Sequence, residues 1–195
     1  MLLLPGAGAV MPPDTLGFVL IRVLSICGRL MRRASTSPHF PFKAEMTMTT
    51  GTVTLHRVLR AAPDRVYRAF LEPDAIVRWL PPYGFTCLVH ELDAKVGGSH
   101  RMSFRNFGTG HSHDFGGKYL ELVPNEKIRY TDQFDDPNLP GQMQTTITLR
   151  KVSCGTEMTV VQENIPAVIP TEMCYLGWQE SLAQLMRLVE PQIPD

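Results

Sequence analysis

Two histidines and an acid stand close together in the stretch His111-Ser112-His113-Asp114. In a strand, the two histidines would point to the same side, and the neighbouring acid could orient one of them. A zinc site needs three or four ligands, so His100 or Cys87 would have to reach it from other strands. The stretch follows a Gly-Thr-Gly sequence, which is typical of the exposed end of a hairpin. We therefore predict an exposed polar turn without a metal site, and keep His113 as a catalytic candidate.

Tyr119, Tyr130 and Asp132 form a second group that could transfer a proton. By strand alternation, Tyr130, Asp132 and Phe134 share one face of a strand. Burial on an apolar face would raise the pKa of the Asp132 carboxyl, as acid–base chemistry near neutral pH often requires. Strand ends also let such an acid reach water. Asp132 is therefore the second candidate for a catalytic residue, beside His113. Neither is predicted to be catalytic.

Other chemistry is not indicated by any motif. The chain has no nucleophile elbow, no P-loop and no dinucleotide fingerprint, so we predict no cofactor. The four cysteines, at positions 27, 87, 154 and 174, are far apart and form no CxxC pair. Isolated thiols of this kind fit a reducing, cytoplasmic environment and usually act as small core residues.

The charge distribution argues against polyanionic partners. The formal net charge of the 195 residues is zero. Residues 1–50 hold five basic and two acidic side chains, and residues 51–195 hold fourteen and seventeen. A mildly acidic body of this kind predicts neither nucleic-acid binding nor membrane insertion.

The first fifty residues differ from the rest in composition. Prolines interrupt them, and the stretch from Leu16 to Met31 is a candidate helix with several arginines. It is too short and too charged for a membrane span or a secretory signal, whereas an arginine-rich, acid-poor segment also suits an organellar transit peptide. We interpret residues 1–50 as an extension that is disordered, a targeting segment or wrongly assigned. In the last case, Met46 or Met48 would be the true translation start.

Turn residues divide the body, residues 51–191, into regular elements. Thr52 to Ala61 alternates as a strand, and two short helices follow, each begun by a Pro-Asp pair. A helix at about Thr171 to Glu190 carries an apolar stripe at steps of three and four residues. Between these helices lie six predicted strands, at 85–92, 100–106, 114–123, 127–134, 143–152 and 157–164.

The short connections between these strands predict antiparallel neighbours. Alternation at Met143–Val152 gives that strand one apolar and one polar face. A sheet with one apolar face and a long amphipathic helix must bury these surfaces against each other. The prediction is an α+β domain in which a curved antiparallel sheet wraps around the C-terminal helix. Tyr175, Trp178, Leu182, Leu185 and Val189 form the helix stripe, where Gly177 would allow close approach to the sheet.

The body also contains a series of short motifs, spread over most of its length. They are Ala62-Pro63, Val66–Phe70, Trp79-Leu80-Pro81, Asp93, Gly97-Gly98, Gly117–Glu121, Pro124, Tyr130-Thr131 and Gly177–Leu182. The order of elements resembles the START-like (SRPBCC) helix-grip fold, β-α-α-β6-α, and within that superfamily these motifs are similar to those of the family of the activator of heat-shock protein 90 ATPase homologues. Leu80 departs from the pattern, since many relatives carry a second tryptophan there.

The resemblance implies an apolar cavity between the sheet and the C-terminal helix that binds a lipid-like or polycyclic small molecule. It also implies two alternatives: a polyketide cyclase or dehydratase using the same cavity, and a protein that activates a chaperone ATPase. Residues 1–50 are too short and too proline-broken for the separate chaperone-binding domain of the eukaryotic co-chaperone. The sequence leaves open whether the protein forms a homodimer. The predicted ligand-binding residues are Trp79, Met102, Phe104, Tyr119, Tyr130, Phe134, Met143, Ile147, Met173, Trp178, Leu182 and Met186.

Overall fold

A computed structural model describes residues 50–192. Seven antiparallel strands form one sheet in the order β1-β7-β6-β5-β4-β3-β2, and three helices complete the domain. This is the predicted helix-grip fold. The strands are β1 (Gly51–Leu59), β2 (Phe85–Leu92), β3 (Ser99–Asn106), β4 (Ser112–Val123), β5 (Lys127–Phe134), β6 (Met143–Val152) and β7 (Gly155–Ile165), and the helices are α1 (Pro63–Ala69), α2 (Pro73–Trp79) and α3 (Thr171–Val189).

Proline and an acid begin both short helices. Pro63 and Pro73 occupy the first helical position, where the missing N–H costs no intrahelical hydrogen bond. Asp64 and Asp74 lie in the first turns, near the positive ends of the helix dipoles. Two prolines after Leu80 prevent α2 from continuing.

The turn between β2 and β3 shows why that hairpin needs glycine. Gly97 has a φ of +83°, which L residues with a side chain rarely adopt. A Cβ atom at Gly98 would collide with the backbone carbonyl of Asp93. The pair therefore lets the chain turn tightly, as the sequence predicts.

Helix α3 packs against β1, α1 and α2. Its buried residues are Trp178, Ser181, Leu182, Leu185 and Val189. The prediction that Tyr175 belongs to this stripe is wrong, because Tyr175 is 38% exposed. The buried face is centred between Ser181 and Leu182, which leaves Tyr175 at its edge.

No helix within residues 50–192 is long and apolar enough to cross a membrane. The predictions for residues 1–49, including the candidate helix, Cys27 and the two alternative start methionines, lie outside the described residues.

Candidate functional site

A cavity of about 660 Å³ lies between the sheet and the first half of α3. The second half of α3 packs without such a space, because Leu182, Leu185 and Val189 fill the interface with the sheet. Aromatic and aliphatic side chains make up most of the cavity wall. Apart from the residues predicted from sequence, these are Phe70, Ile76, Leu80, Phe85, Phe115, Leu139 and Ile169.

The structure places nine of the twelve predicted ligand-binding residues in the cavity wall. Of the other three, Ile147 and Leu182 belong to the solid core, and Met186 is partly buried against it. Ile147 and Leu182 are fully buried, and both belong to the same hydrophobic core cluster. The nine in the wall are Trp79, Met102, Phe104, Tyr119, Tyr130, Phe134, Met143, Met173 and Trp178.

Hydrogen bonds hold both tryptophans of the wall in place. Trp178 donates from Nε1 to Oε1 of Gln162 on β7, at 2.9 Å. Trp79 donates from Nε1 to the backbone oxygen of Ala69, at 2.8 Å, which ties α2 to α1. A buried indole N–H is costly without a partner, so these bonds fix the orientation of two large rings in the wall.

The wall contains a buried pair of hydrogen-bonded polar side chains. His100 on β3 and Asp132 on β5 meet with Nε2 and Oδ1 2.8 Å apart. The two strands are not neighbours, since β4 lies between them. The pair spans β4 at Gly117, which is opposite His100 in the ladder. Because Gly117 has no side chain, nothing on β4 separates the imidazole from the carboxyl.

Two tyrosines surround this pair. The ring centroids of Tyr119 and Tyr130 lie 5.4 Å and 5.5 Å from that of His100. Burial raises the pKa of both hydroxyls, and the Asp132 carboxyl adds to that rise, so both tyrosines remain protonated at neutral pH. Burial also raises the pKa of Asp132, against the opposing effect of its bond to His100. The direction agrees with the prediction from sequence.

The stretch from His111 to Asp114 reaches the cavity only in part. His111 is exposed, as predicted for a hairpin end, whereas His113 and Asp114 are half-buried and contribute to the wall. Burial lowers the pKa of His113, and Asp136 opposes that effect. Among the described residues no three His, Cys, Asp or Glu side chains form a group that could hold a metal ion.

Asp135 and Asp136 also line the cavity, and Asp135 is nearly half exposed. Arg101 on β3 forms an ion pair with Asp135 and lies 4.0 Å from Asp114. The acids in this part of the wall therefore reach solvent and a cation, in contrast to Asp132.

The cysteines of the body are ordinary thiols. Cys174 contributes to the cavity wall, and burial raises its pKa to about 11. Cys87 on β2 has its pKa raised to about 11 for the same reason. Both are therefore protonated and weakly nucleophilic at neutral pH.

Side chains of α3 fasten the segment that follows α2 to the helix. Ser181 donates to the carbonyl oxygen of Leu80 at 2.6 Å, and Gln184 donates to that of Pro81. Glu180 accepts a hydrogen bond from the backbone N–H of Tyr83 at 3.0 Å. The Gly177–Leu182 motif thus places Trp178 in the cavity and anchors the cavity rim.

Gly177 itself has a different role from the predicted one. A Cβ atom added there would meet no heavy atom within 4 Å, so the expected close approach to the sheet is wrong. The position borders the cavity. The absent side chain leaves space rather than contact.

His100 and Gln162 are among the polar wall residues that were not predicted from sequence as cavity residues, as are Asp135 and Asp136. Alternation with Met102 and Phe104 places His100 on the same face of β3, a signal that could have found it. Leu139 and Ile169 come from loops, for which periodicity gives no signal.

A curved antiparallel sheet that grips one long helix over an apolar cavity defines a helix-grip domain of the START type. The chain belongs to the family described as activator of Hsp90 ATPase homolog 1-like protein, whose sequence model matches residues 60–190.

Solved structures agree with this assignment. A protein from Chromobacterium violaceum is 62% identical, with a TM-score of 0.72 over 72% of this chain and 98% of its own. A protein from Staphylococcus epidermidis is 21% identical, with a TM-score of 0.63 over 77% of this chain and 97% of its own. One from Rhodobacter sphaeroides is 18% identical, with a TM-score of 0.61 over 70% and 90%. The last two show the fold alone. A comparison with curated proteins found no match.

Proposed function

We propose that the domain binds a small, largely apolar molecule in the cavity between its sheet and α3. The observation that carries this proposal is a cavity of about 660 Å³ whose wall consists mainly of aromatic and aliphatic side chains. A cavity of this size and lining has the usual properties of a small-molecule site. Membership of a START-type family supports a ligand-binding domain in general.

The methionines of the wall support a ligand of variable shape. Met102, Met143 and Met173 lie on β3, β6 and α3, so they approach the cavity from different sides. A flexible thioether side chain adapts to apolar surfaces of different outline. Lipid-like and polycyclic molecules are therefore the classes that we propose.

The test is native mass spectrometry of the protein purified from its own host, followed by thermal unfolding with a panel of lipids and polycyclic aromatics. We expect a bound apolar molecule, or a panel member that raises the unfolding temperature. Gly177→Leu, which places a side chain in the cavity, should lose that response. Tyr175→Leu, an exposed change on the same helix, should keep it. A protein that is always empty and responds to no panel member would refute the proposal.

A second candidate, acid–base chemistry of the cyclase or dehydratase kind, is favoured by the buried His100–Asp132 pair. In a dehydration, the Asp132 carboxylate would take a proton from a carbon of the substrate and pass it to the hydroxyl group on the adjacent carbon. The C–H and C–O bonds break, a C=C bond forms, water leaves, and Asp132 is again a carboxylate. The check is to incubate any molecule found in the cavity with the protein and to follow its mass for the loss of one water. Turnover that is unchanged in Asp132→Asn would remove this residue from the mechanism.

The family description names an activator of the Hsp90 ATPase. No observation on residues 50–192 favours that role over ligand binding, and the chaperone partner and the homodimer stay predictions.

A further inference from the structure

One oxygen of the Asp132 carboxyl is available to a molecule in the cavity. Oδ1 is bonded to His100, whereas Oδ2 has no hydrogen-bond partner among the described residues. Oδ2 is also not among the polar atoms that are fully enclosed and unpartnered. Since Asp132 lines the cavity and its side chain is 12% exposed, Oδ2 faces the cavity.

A hydrogen bond with His100 fixes the orientation of the Asp132 carboxyl. The His100 side chain is only 3% exposed, and within residues 50–192 Nδ1 is enclosed without a hydrogen-bond partner. A proton on Nδ1 would be a buried donor with nothing to accept it, so the favoured tautomer carries its proton on Nε2 and donates it to Asp132. The imidazole therefore holds the carboxyl in place and leaves its second oxygen as a hydrogen-bond acceptor.

The charges in the cavity wall disfavour a negatively charged ligand. Within the part of the chain that the structure describes, four aspartates line the cavity, and no lysine or arginine does. Two of them, Asp114 and Asp135, lie beside Arg101, whereas the titratable side chain that is bonded to Asp132 among the described residues is His100. An anion entering the cavity would meet like charge and lose its hydration without a cationic partner.

We propose that the cavity selects molecules that combine an apolar body with one hydrogen-bond-donating group, which binds Oδ2 of Asp132, and that it rejects anions such as fatty acids. The inference rests on the proposed function, because it names the chemical class of ligand for the same cavity. The donor is a hydroxyl group or an ammonium group, since both present a proton to a carboxylate.

Four probes with the same pyrene body test this selectivity by fluorescence titration. They are pyrenemethanol, its methyl ether, pyrenemethylamine and pyrenecarboxylate. The body fills apolar space equally in all four, so differences in affinity report the polar end. A hydrogen bond to a charged group contributes about 1.5–3 kcal/mol, so we expect the alcohol and the amine to bind roughly tenfold to hundredfold more tightly than the ether. The carboxylate should bind least tightly.

Asp132→Asn should bring the affinities for alcohol and ether close together, because the charged acceptor is lost. Asp74→Asn changes an exposed acid of α2 in the same way and should keep the wild-type preference. If thermal unfolding shows that Asp132→Asn is not folded, Asp132→Ser is used in its place. The affinities of the wild-type protein for the four probes test the selectivity even without a variant.

The outcomes separate this inference from the proposed function. Equal affinity for alcohol and ether in the wild type, or tightest binding of the carboxylate, would overturn the inference while ligand binding stands. An unchanged preference in Asp132→Asn would also overturn it. If none of the four probes binds, the proposed apolar site fails, and the inference fails with it.

Discussion

Gly177 offers a test of the cavity by stability alone. It lies within α3, where glycine costs about 1 kcal/mol relative to alanine because of its backbone freedom. A methyl group there would meet no heavy atom within 4 Å, so no clash offsets the gain. Gly177→Ala should therefore raise the free energy of unfolding by about 1 kcal/mol. For a domain of this length, that gain corresponds to a rise of roughly 4 °C in Tm.

The assay is urea unfolding followed by circular dichroism, with calorimetry for Tm. Gly155→Ala is the matched control, because Gly155 has a φ of +137° and its added Cβ would collide with the carbonyl oxygen of Leu59. The same change should be destabilising there. If Gly177→Ala instead lowers the stability, α3 must lie against the sheet at this point, and the cavity as described would be refuted.

Three further predictions follow from the wall and the core. Burial raises the pKa of Asp132 above 3.8, so the native state holds this proton more tightly than the unfolded chain, and the resulting stabilisation is lost as the pH rises above about 4. In a urea series, the unfolding free energy of the wild type minus that of Asp132→Asn should therefore fall as the pH is raised from about 4, and a constant value would contradict the raised pKa. Ile147→Ala should lower the free energy of unfolding by about 2–5 kcal/mol, since Ile147 is fully buried. Its affinity for pyrenemethanol, measured by fluorescence titration, should be unchanged, because Ile147 is not in the cavity wall. Ser181→Ala removes the donor to the Leu80 carbonyl and should cost roughly 1 kcal/mol by calorimetry, whereas a cost near zero would mean that water replaces the hydroxyl.

The order of elements could be predicted because each boundary carries its own chemical signal. The predicted bounds of β2, β5 and β6 agree with those of the structure, and α3 begins at the predicted residue. Glycine, proline and asparagine at the turns separate strands whose alternation is clear. The shared face of Tyr130, Asp132 and Phe134 follows from the same alternation, and all three line the cavity.

The His100–Asp132 contact could not be predicted in this way. Alternation gives the face of each strand but not the register between strands. The two residues are 32 positions apart and meet only because Gly117 of β4 lies opposite His100. A sequence reader would need both the strand order and the register to see that a glycine separates them.

The extent of the cavity along α3 could not be predicted either, for a related reason. Periodicity shows that Leu182 and Met186 face the sheet, as Trp178 does, but it does not show where the sheet and the helix touch. That distance depends on the curvature of the sheet and on how α1 and α2 hold the helix. Ile147 illustrates the limit, since it shares its face with Met143 yet lies in the solid core.

The two halves of α3 are held by different forces, and this difference explains the polar residues of its motif. In the second half, Leu182, Leu185 and Val189 bury apolar surface against the core. The first half faces the cavity and lacks much of that packing. Hydrogen bonds from Ser181 and Gln184 to the segment after α2 fix the helix at the boundary between the halves. The fold can therefore keep an open cavity under α3, because directional bonds at its rim supply what close packing supplies elsewhere.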